Sequence, residues 1–207
     1  MMRRLVTAVA ALLLAACNAL PDKPVREVHY DFGPGTVAEA AAAAAGAPLV
    51  LAELEVSASL ETSALLYRLA YADPRQLRAY AFAAWSAPPG QLLRQRLREH
   101  LALERPVLDA SAGAAIARRG GAVPPVLRVE LEEFSHVFDS QTDSKGLLRL
   151  RCTLMENTPA GERLVAQRSF TVQRPATSAD AAGGVRALSE AAETAALEVA
   201  AWLRQAR

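Results

Sequence analysis

Cysteine is nearly absent from this chain, with Cys17 and Cys152 its only two. One bridge at most is available, which excludes the disulfide-stapled scaffolds of small secreted domains. Histidine is almost as scarce. His29, His100 and His136 lie far apart in the chain, and none has a partner three or four positions away, so no zinc-type spacing arises. His100 sits between Glu99 and Leu101, the place of a surface or boundary residue. No G-x-S-x-G elbow, H-E-x-x-H helix, phosphate-binding glycine loop or C-x-x-C pair occurs. Glu132 and Glu133 are neighbours in a strand pattern, where adjacent side chains point to opposite faces, so they are not expected to form an acid–base pair. A net charge of +1 provides no basic field for nucleic acid. No uncharged apolar run reaches the roughly 20 residues a spanning helix needs. The expectation is a chain with no catalytic residues, no metal and no cofactor.

What is present begins at the N-terminus. Met1-Met2-Arg3-Arg4 is followed by an uncharged apolar run from Leu5 to Ala16 and then by Cys17. A basic start and a run of that length form a secretory signal. Leu14-Ala15-Ala16-Cys17 resembles the bacterial lipobox, in which small residues admit the peptidase and the cysteine thiolate takes the diacylglyceryl group. Residues 1–16 are thus expected to be removed, with Cys17 lipidated and palmitate-bearing. Arg3 and Arg4 leave with them, so 21 basic side chains face 22 acidic ones. With Cys17 acylated, Cys152 stands alone. Its place in a strand pattern suits a small buried hydrophobe, and pairing between chains is the alternative. Asn18 follows the lipidated position where an aspartate would typically retain such a protein at the inner membrane, which points to the periplasmic face of the outer membrane.

Residues 17–28 read as a tether and 29–207 as one domain. His29-Tyr30-Asp31-Phe32 suits a short strand closed by Gly33-Pro34-Gly35. Residues 36–48 fit either a brief helix or a loop. Leu49 to Val56 alternates, with Val50, Ala52, Leu54 and Val56 on one face and Glu53 and Glu55 on the other. Leu65, Tyr67, Leu69 and Tyr71 share a face. Asp73-Pro74 then turns the chain, and Gln76 to Phe82 returns as a hairpin. Pro88-Pro89 opens a helix carrying Leu93, Leu97 and Leu101, which ends before Pro106. Residues 110–125 read as small and flexible. Leu127, Val129 and Leu131 alternate until Phe134 breaks parity, implying a bulge near Glu132-Glu133. Leu148, Leu150, Cys152 and Leu154 form the next strand. Asn157 to Gly161 turns, and Leu164, Ala166, Phe170 and Val172 line the last. Asp180 caps a long helix with the stripe Val185, Leu188, Ala192, Ala195, Val199 and Leu203. The order of elements implies an α+β fold, an antiparallel sheet with two main helices packed on one face.

The distinctive run is Tyr67-Arg68-Leu69, Asp73-Pro74, Leu77-Arg78-Ala79-Tyr80 and Trp85-Ser86-Ala87-Pro88-Pro89, with His29-Tyr30-Asp31-Phe32-Gly33-Pro34 upstream. It resembles the ABC-type transport auxiliary lipoprotein family, which includes the paraquat-inducible lipoprotein type, over about residues 29–204. The resemblance implies a periplasmic lipoprotein subunit beside an ABC permease and ATPase and a mammalian-cell-entry (MCE) domain protein, in systems that move lipids between membranes and maintain the outer membrane. It carries over no catalytic residues. From composition, Tyr67, Arg68, Tyr71, Arg78 and Tyr80 make the hairpin a candidate partner interface, aromatics beside arginines being frequent at such surfaces. The competing reading places Tyr67, Tyr71 and Trp85 in the core. Self-association into a homo-oligomer is a further expectation. A lipid-binding carrier with an apolar pocket and a periplasmic hydrolase are the alternative functions.

Overall fold

The computed structural model describes residues 26–35 and 46–206. Cys17, the segment expected to be a signal and most of the expected tether lie outside the described residues, as do residues 36–45. The described part holds nine strands in one mixed sheet and three α-helices, an α+β fold. No helix of the described residues is long and apolar enough to cross a membrane.

Three long strands carry the sheet: β7 (Val126–Phe138), β8 (Ser144–Thr158) and β9 (Gly161–Pro175), paired antiparallel as a meander. Leu127, Val129, Leu131, Leu148, Leu150 and Cys152 are fully buried on one face, as their alternation requires. Between Leu131 and Glu133 the β7–β8 register shifts by one residue, the bulge that Phe134 implied, and Phe134 returns to the core. A second shift between Leu154 and Met155 pairs Met155 with Leu164. It turns Leu164 out to solvent, so Leu164 leaves the expected inner face of β9, while Ala166, Phe170 and Val172 pack on the core.

The other edge of β7 receives shorter strands, and here the sheet departs from a purely antiparallel one. β2 (Leu49–Leu51), β3 (Glu55–Val56) and β4 (Ala64–Leu69) all run parallel to β7. The alternating segment 49–56 is therefore two short strands rather than one. Leu49, Val50 and Leu51 are all buried because β6 (Val107–Leu108) pairs beside β2 and helices cover it. β4 and β5 (Leu77–Trp85) form the expected hairpin, with β1 (Val28–Tyr30) parallel to β5 at the sheet's end.

Helix α1 (Pro89–Ala102) starts on its proline, where a missing N–H costs nothing, and buries Leu93, Leu97 and Leu101. The segment read as small and flexible contains helix α2 (Ala110–Arg118), capped by the Asp109 carboxylate on the Ala112 N–H at 2.8 Å. Gly120 at φ +76° closes it, with Gly121 N–H on the Ile116 carbonyl and Gly120 N–H on that of Ala117. Alanine's helix propensity outweighed the glycines, because Gly120 and Gly121 lie just past the end and cost the helix nothing. Helix α3 (Ala181–Gln205) is capped by Asp180 through the Gly183 N–H at 2.8 Å. Its Ala191, Ala192, Ala195 and Ala196 are fully buried, and small side chains there let the helix lie close on β7–β9. Trp85 sits in the same core, edge-to-face with Phe32 at 5.4 Å and tilted on Phe134 at 5.5 Å. Between sheet and helices, where a lipid carrier needs an apolar cavity, the described side chains form one packed cluster.

Candidate functional site

The hairpin owes its turn to Asp73, whose carboxylate accepts the Arg75 N–H at 3.0 Å while its own N–H bonds the Leu69 carbonyl at 2.9 Å. The five candidate residues separate into three settings. Tyr67 and Tyr80 are half-buried on the helix side, their rings 4.7 Å apart. The Tyr80 hydroxyl is 2.9 Å from Nδ1 of His136, whose ring in turn lies 4.3 Å from that of Phe138. Gly184 of α3 closes the cluster. A Cβ at that position would stand 2.4 Å from the imidazole Nδ1. Arg68 lies on the opposite, helix-free face, with its guanidinium on Glu133 at 3.0 Å and on the Pro74 carbonyl at 3.3 Å. Tyr71 and Arg78 are exposed. Tyr71 lies past the end of β4, in the turn, and so does not share the Leu65 face as its parity suggested. Among the described residues the Arg78 side chain bonds only Gln76, two positions back.

The bulge overturns the expectation that Glu132 and Glu133 diverge. It inserts one residue between the inward Leu131 and Phe134, so both carboxylates emerge on the helix-free face. Glu132 binds Arg149 at 2.9 Å and Arg151 at 2.6 Å, and Glu133 binds Arg68. Each is neutralised by arginine. Glu133 thereby ties the hairpin to β7, and Glu132 ties β8 to it.

The histidines occupy three different environments. His29 is exposed beside Glu27. His100 is buried rather than at the surface, its Nε2 2.8 Å from Glu193 of α3. The same carboxylate takes Arg96 at 2.7 Å, and Arg96 also reaches the Phe32 carbonyl at 3.0 Å. α1, α3 and the N-terminal segment are thereby tied at one point. Partial burial raises the Glu193 pKa, but the hydrogen bonds from His100 and Arg96 outweigh it and hold the carboxyl below its usual range. His136 is fully buried, and burial lowers its imidazole to about 4. Burial likewise raises the Tyr80 phenol well above its ordinary value. At neutral pH the imidazole and the phenol are thus both uncharged, and their hydrogen bond joins β5 to β7. Tyr80 and His136 lie 56 positions apart, so only the alignment of β5, β4 and β7 brings them together, a contact that no local pattern records. Among the described residues no three His, Cys, Asp or Glu side chains gather in a way that would hold a metal.

Comparison with known proteins adds the following. A family model described as the ABC-type transport auxiliary lipoprotein component matches residues 30–200. No curated protein matches the chain in sequence. Among solved structures, protein XCC0632 from Xanthomonas campestris, of the DUF330 family, is similar with a TM-score of 0.63 at 20% identity, covering 76% of this chain and 84% of that one. An uncharacterized protein is similar at 0.62 and 16% identity over 86% and 99%. A hypothetical protein of Chlamydia trachomatis reaches 0.52 at 10% over 78% and 98%. At these identities the likeness extends to the fold alone.

Proposed function

This chain belongs to the family of ABC-type transport auxiliary lipoprotein components, and from that premise we propose that it is a non-catalytic, lipid-anchored subunit of an MCE-type ABC transport system. The observation that carries the reading is the family match across 30–200, nearly the whole of the chain beyond its signal and tether. In this reading Cys17 carries the lipid, and the body stands in the periplasm at the outer membrane. The MCE-domain protein, with its permease and ATPase, is the partner, and the cargo is lipid moving between membranes. Three acyl chains exceed the two signals that stable anchoring requires. The hairpin is the contact surface in this proposal. Tyr71 and Arg78 meet the partner, while Tyr67, Arg68 and Tyr80 stiffen the strands behind them.

The test is affinity purification of the tagged, lipidated protein from its own bacterium after mild cross-linking, with its membranes separated by density. Co-recovery of an MCE-domain protein from the outer-membrane fraction is expected. Recovery with a transporter lacking any MCE component would overturn the MCE assignment, and recovery from the inner membrane would overturn the location. Cys17→Ser is expected to accumulate as uncleaved precursor and to take up no palmitate. Labelling that persists in the variant sinks the anchor assignment.

A further inference from the structure

α1 begins against the Val56 side chain of β3, and an open pocket of about 220 Å³ lies beside them. Its floor is apolar, made by Leu54, Val56 and Leu60, with Pro88 at one wall. The far end is Gly90, where a Cβ would stand 2.7 Å from Cγ1 of Val56, so even an alanine there would crowd the site. For scale, a dry cavity of about 150 Å³ takes a benzene ring. The pocket has room for one aliphatic or aromatic side chain.

Two further features say what brings that side chain. The charged groups at the pocket are carboxylates. Glu53 is mostly exposed and meets Arg94 at 3.0 Å, whereas Glu61 has no ion-pair partner among the described residues. A cation brought to the Glu61 carboxylate therefore finds an unpaired opposite charge beside the apolar floor. Second, β3 pairs with β7 on one side, and no strand of the described residues pairs with its other side. A free strand edge offers backbone groups to an extended segment, whose alternate side chains then enter pockets beside it.

We propose that this pocket docks an extended segment of a partner protein, one apolar side chain seated on Leu54, Val56 and Leu60 and a flanking lysine or arginine on Glu61. The site is separate from the hairpin surface. It goes beyond the transport reading and does not depend on it, because the probe below contains no transporter component.

The experiment uses the mature, lipid-anchored protein in phosphatidylcholine nanodiscs. Two short peptides are offered, each with one photoreactive leucine, flanked in one by lysines and in its twin by glutamates. After irradiation, the cross-linked residues are mapped by mass spectrometry. The lysine peptide is expected to mark residues 54–61 and 90–91 at least tenfold more than its twin. Glu61→Arg, an exposed change whose fold is checked by melting temperature, is expected to lower that yield about tenfold. Equal marking by both peptides overturns the proposal, as does marking scattered elsewhere or an absence of marking. Competition by dihexanoyl phosphatidylcholine as strong as by unlabelled lysine peptide also overturns it, and assigns the pocket to an acyl chain instead.

Discussion

Burial holds the His136 imidazole at about 4, against roughly 6.5 for a free histidine, so between those values the unfolded chain binds a proton that the folded chain refuses. The stability this provides is complete above the unfolded value and falls as pH drops toward the folded one, by up to ~1.4 kcal/mol per pH unit. Urea unfolding at pH 7.0, 5.5 and 4.5 measures it. His136→Phe should flatten the slope across that window, and an unchanged slope would assign the loss to another group. Cys152 poses a simpler question. It is fully buried in the sheet's inner face, and burial pushes its thiol up to about 12, so it is an unreactive packing residue. Cys152→Ala should cost about 1 kcal/mol. The melting temperature of the unmodified protein should be the same with and without reductant. A drop on reduction would reveal a bridge between chains. Its alternation with Leu148, Leu150 and Leu154 made this burial legible in advance. His100 was not legible, because the carboxylate that receives it arrives from Glu193, at the other end of the chain.

At the scale of elements, the seating of α3 on the sheet depends on one position of close approach. Gly146 of β8 lies against the α3 backbone, where a Cβ would meet the Ala187 carbonyl carbon and the Leu188 nitrogen at 2.7 Å. Backbone cannot swing aside as a side chain can, so Gly146→Ala should destabilise by at least ~2–3 kcal/mol. Chemical denaturation against Gly161→Ala, which meets nothing within 4 Å but sits at φ +117°, separates crowding from backbone strain. Asp180→Ala removes the α3 cap and should cost about 1 kcal/mol by the same measurement. The long helices and long strands were readable from periodicity, since each repeats its apolar spacing over many residues. α2 was not. Its nine residues are mostly alanine, with Ile116 the one large apolar side chain, too short a run to repeat a period, and Gly113 is there because Val50 leaves no room for a Cβ. The division of 49–56 into two strands was equally hidden, because both halves keep the same alternating pattern.

For the whole molecule, the position of the hairpin separates residues that hold the fold from residues free to meet a partner. Tyr80→Ala removes a half-buried ring and leaves His136 with no bond from the phenol, so it should lower stability by ~3 kcal/mol or more. Tyr71→Asp and Arg78→Glu change exposed groups and should leave the melting point nearly unaltered. If the hairpin is the contact surface, those two should weaken recovery of the MCE-domain protein at least tenfold at normal abundance. Full recovery with both would move the interface elsewhere. If the protein is a non-catalytic subunit, His29→Ala and Glu133→Ala should retain function in a membrane-integrity assay at matched protein levels; abolished function at full abundance would reopen the hydrolase reading.

The sequence by itself determined what depends on neighbours along the chain: the signal and lipobox pattern, the alternation of β7–β9, the stripes of α1 and α3, and the bulge announced by Phe134. Local spacing carries this information because a helix or strand repeats its own geometry. Tertiary structure alone decided which faces became interior and which charges met. The bulge turned Glu132 and Glu133 to one side, where Arg68, Arg149 and Arg151 wait on other strands. Alignment of β4, β5 and β7 packed Tyr67 on Tyr80 and Tyr80 on His136, and left Tyr71 and Arg78 outside. Strand order and register join residues tens of positions apart, and no local period records them.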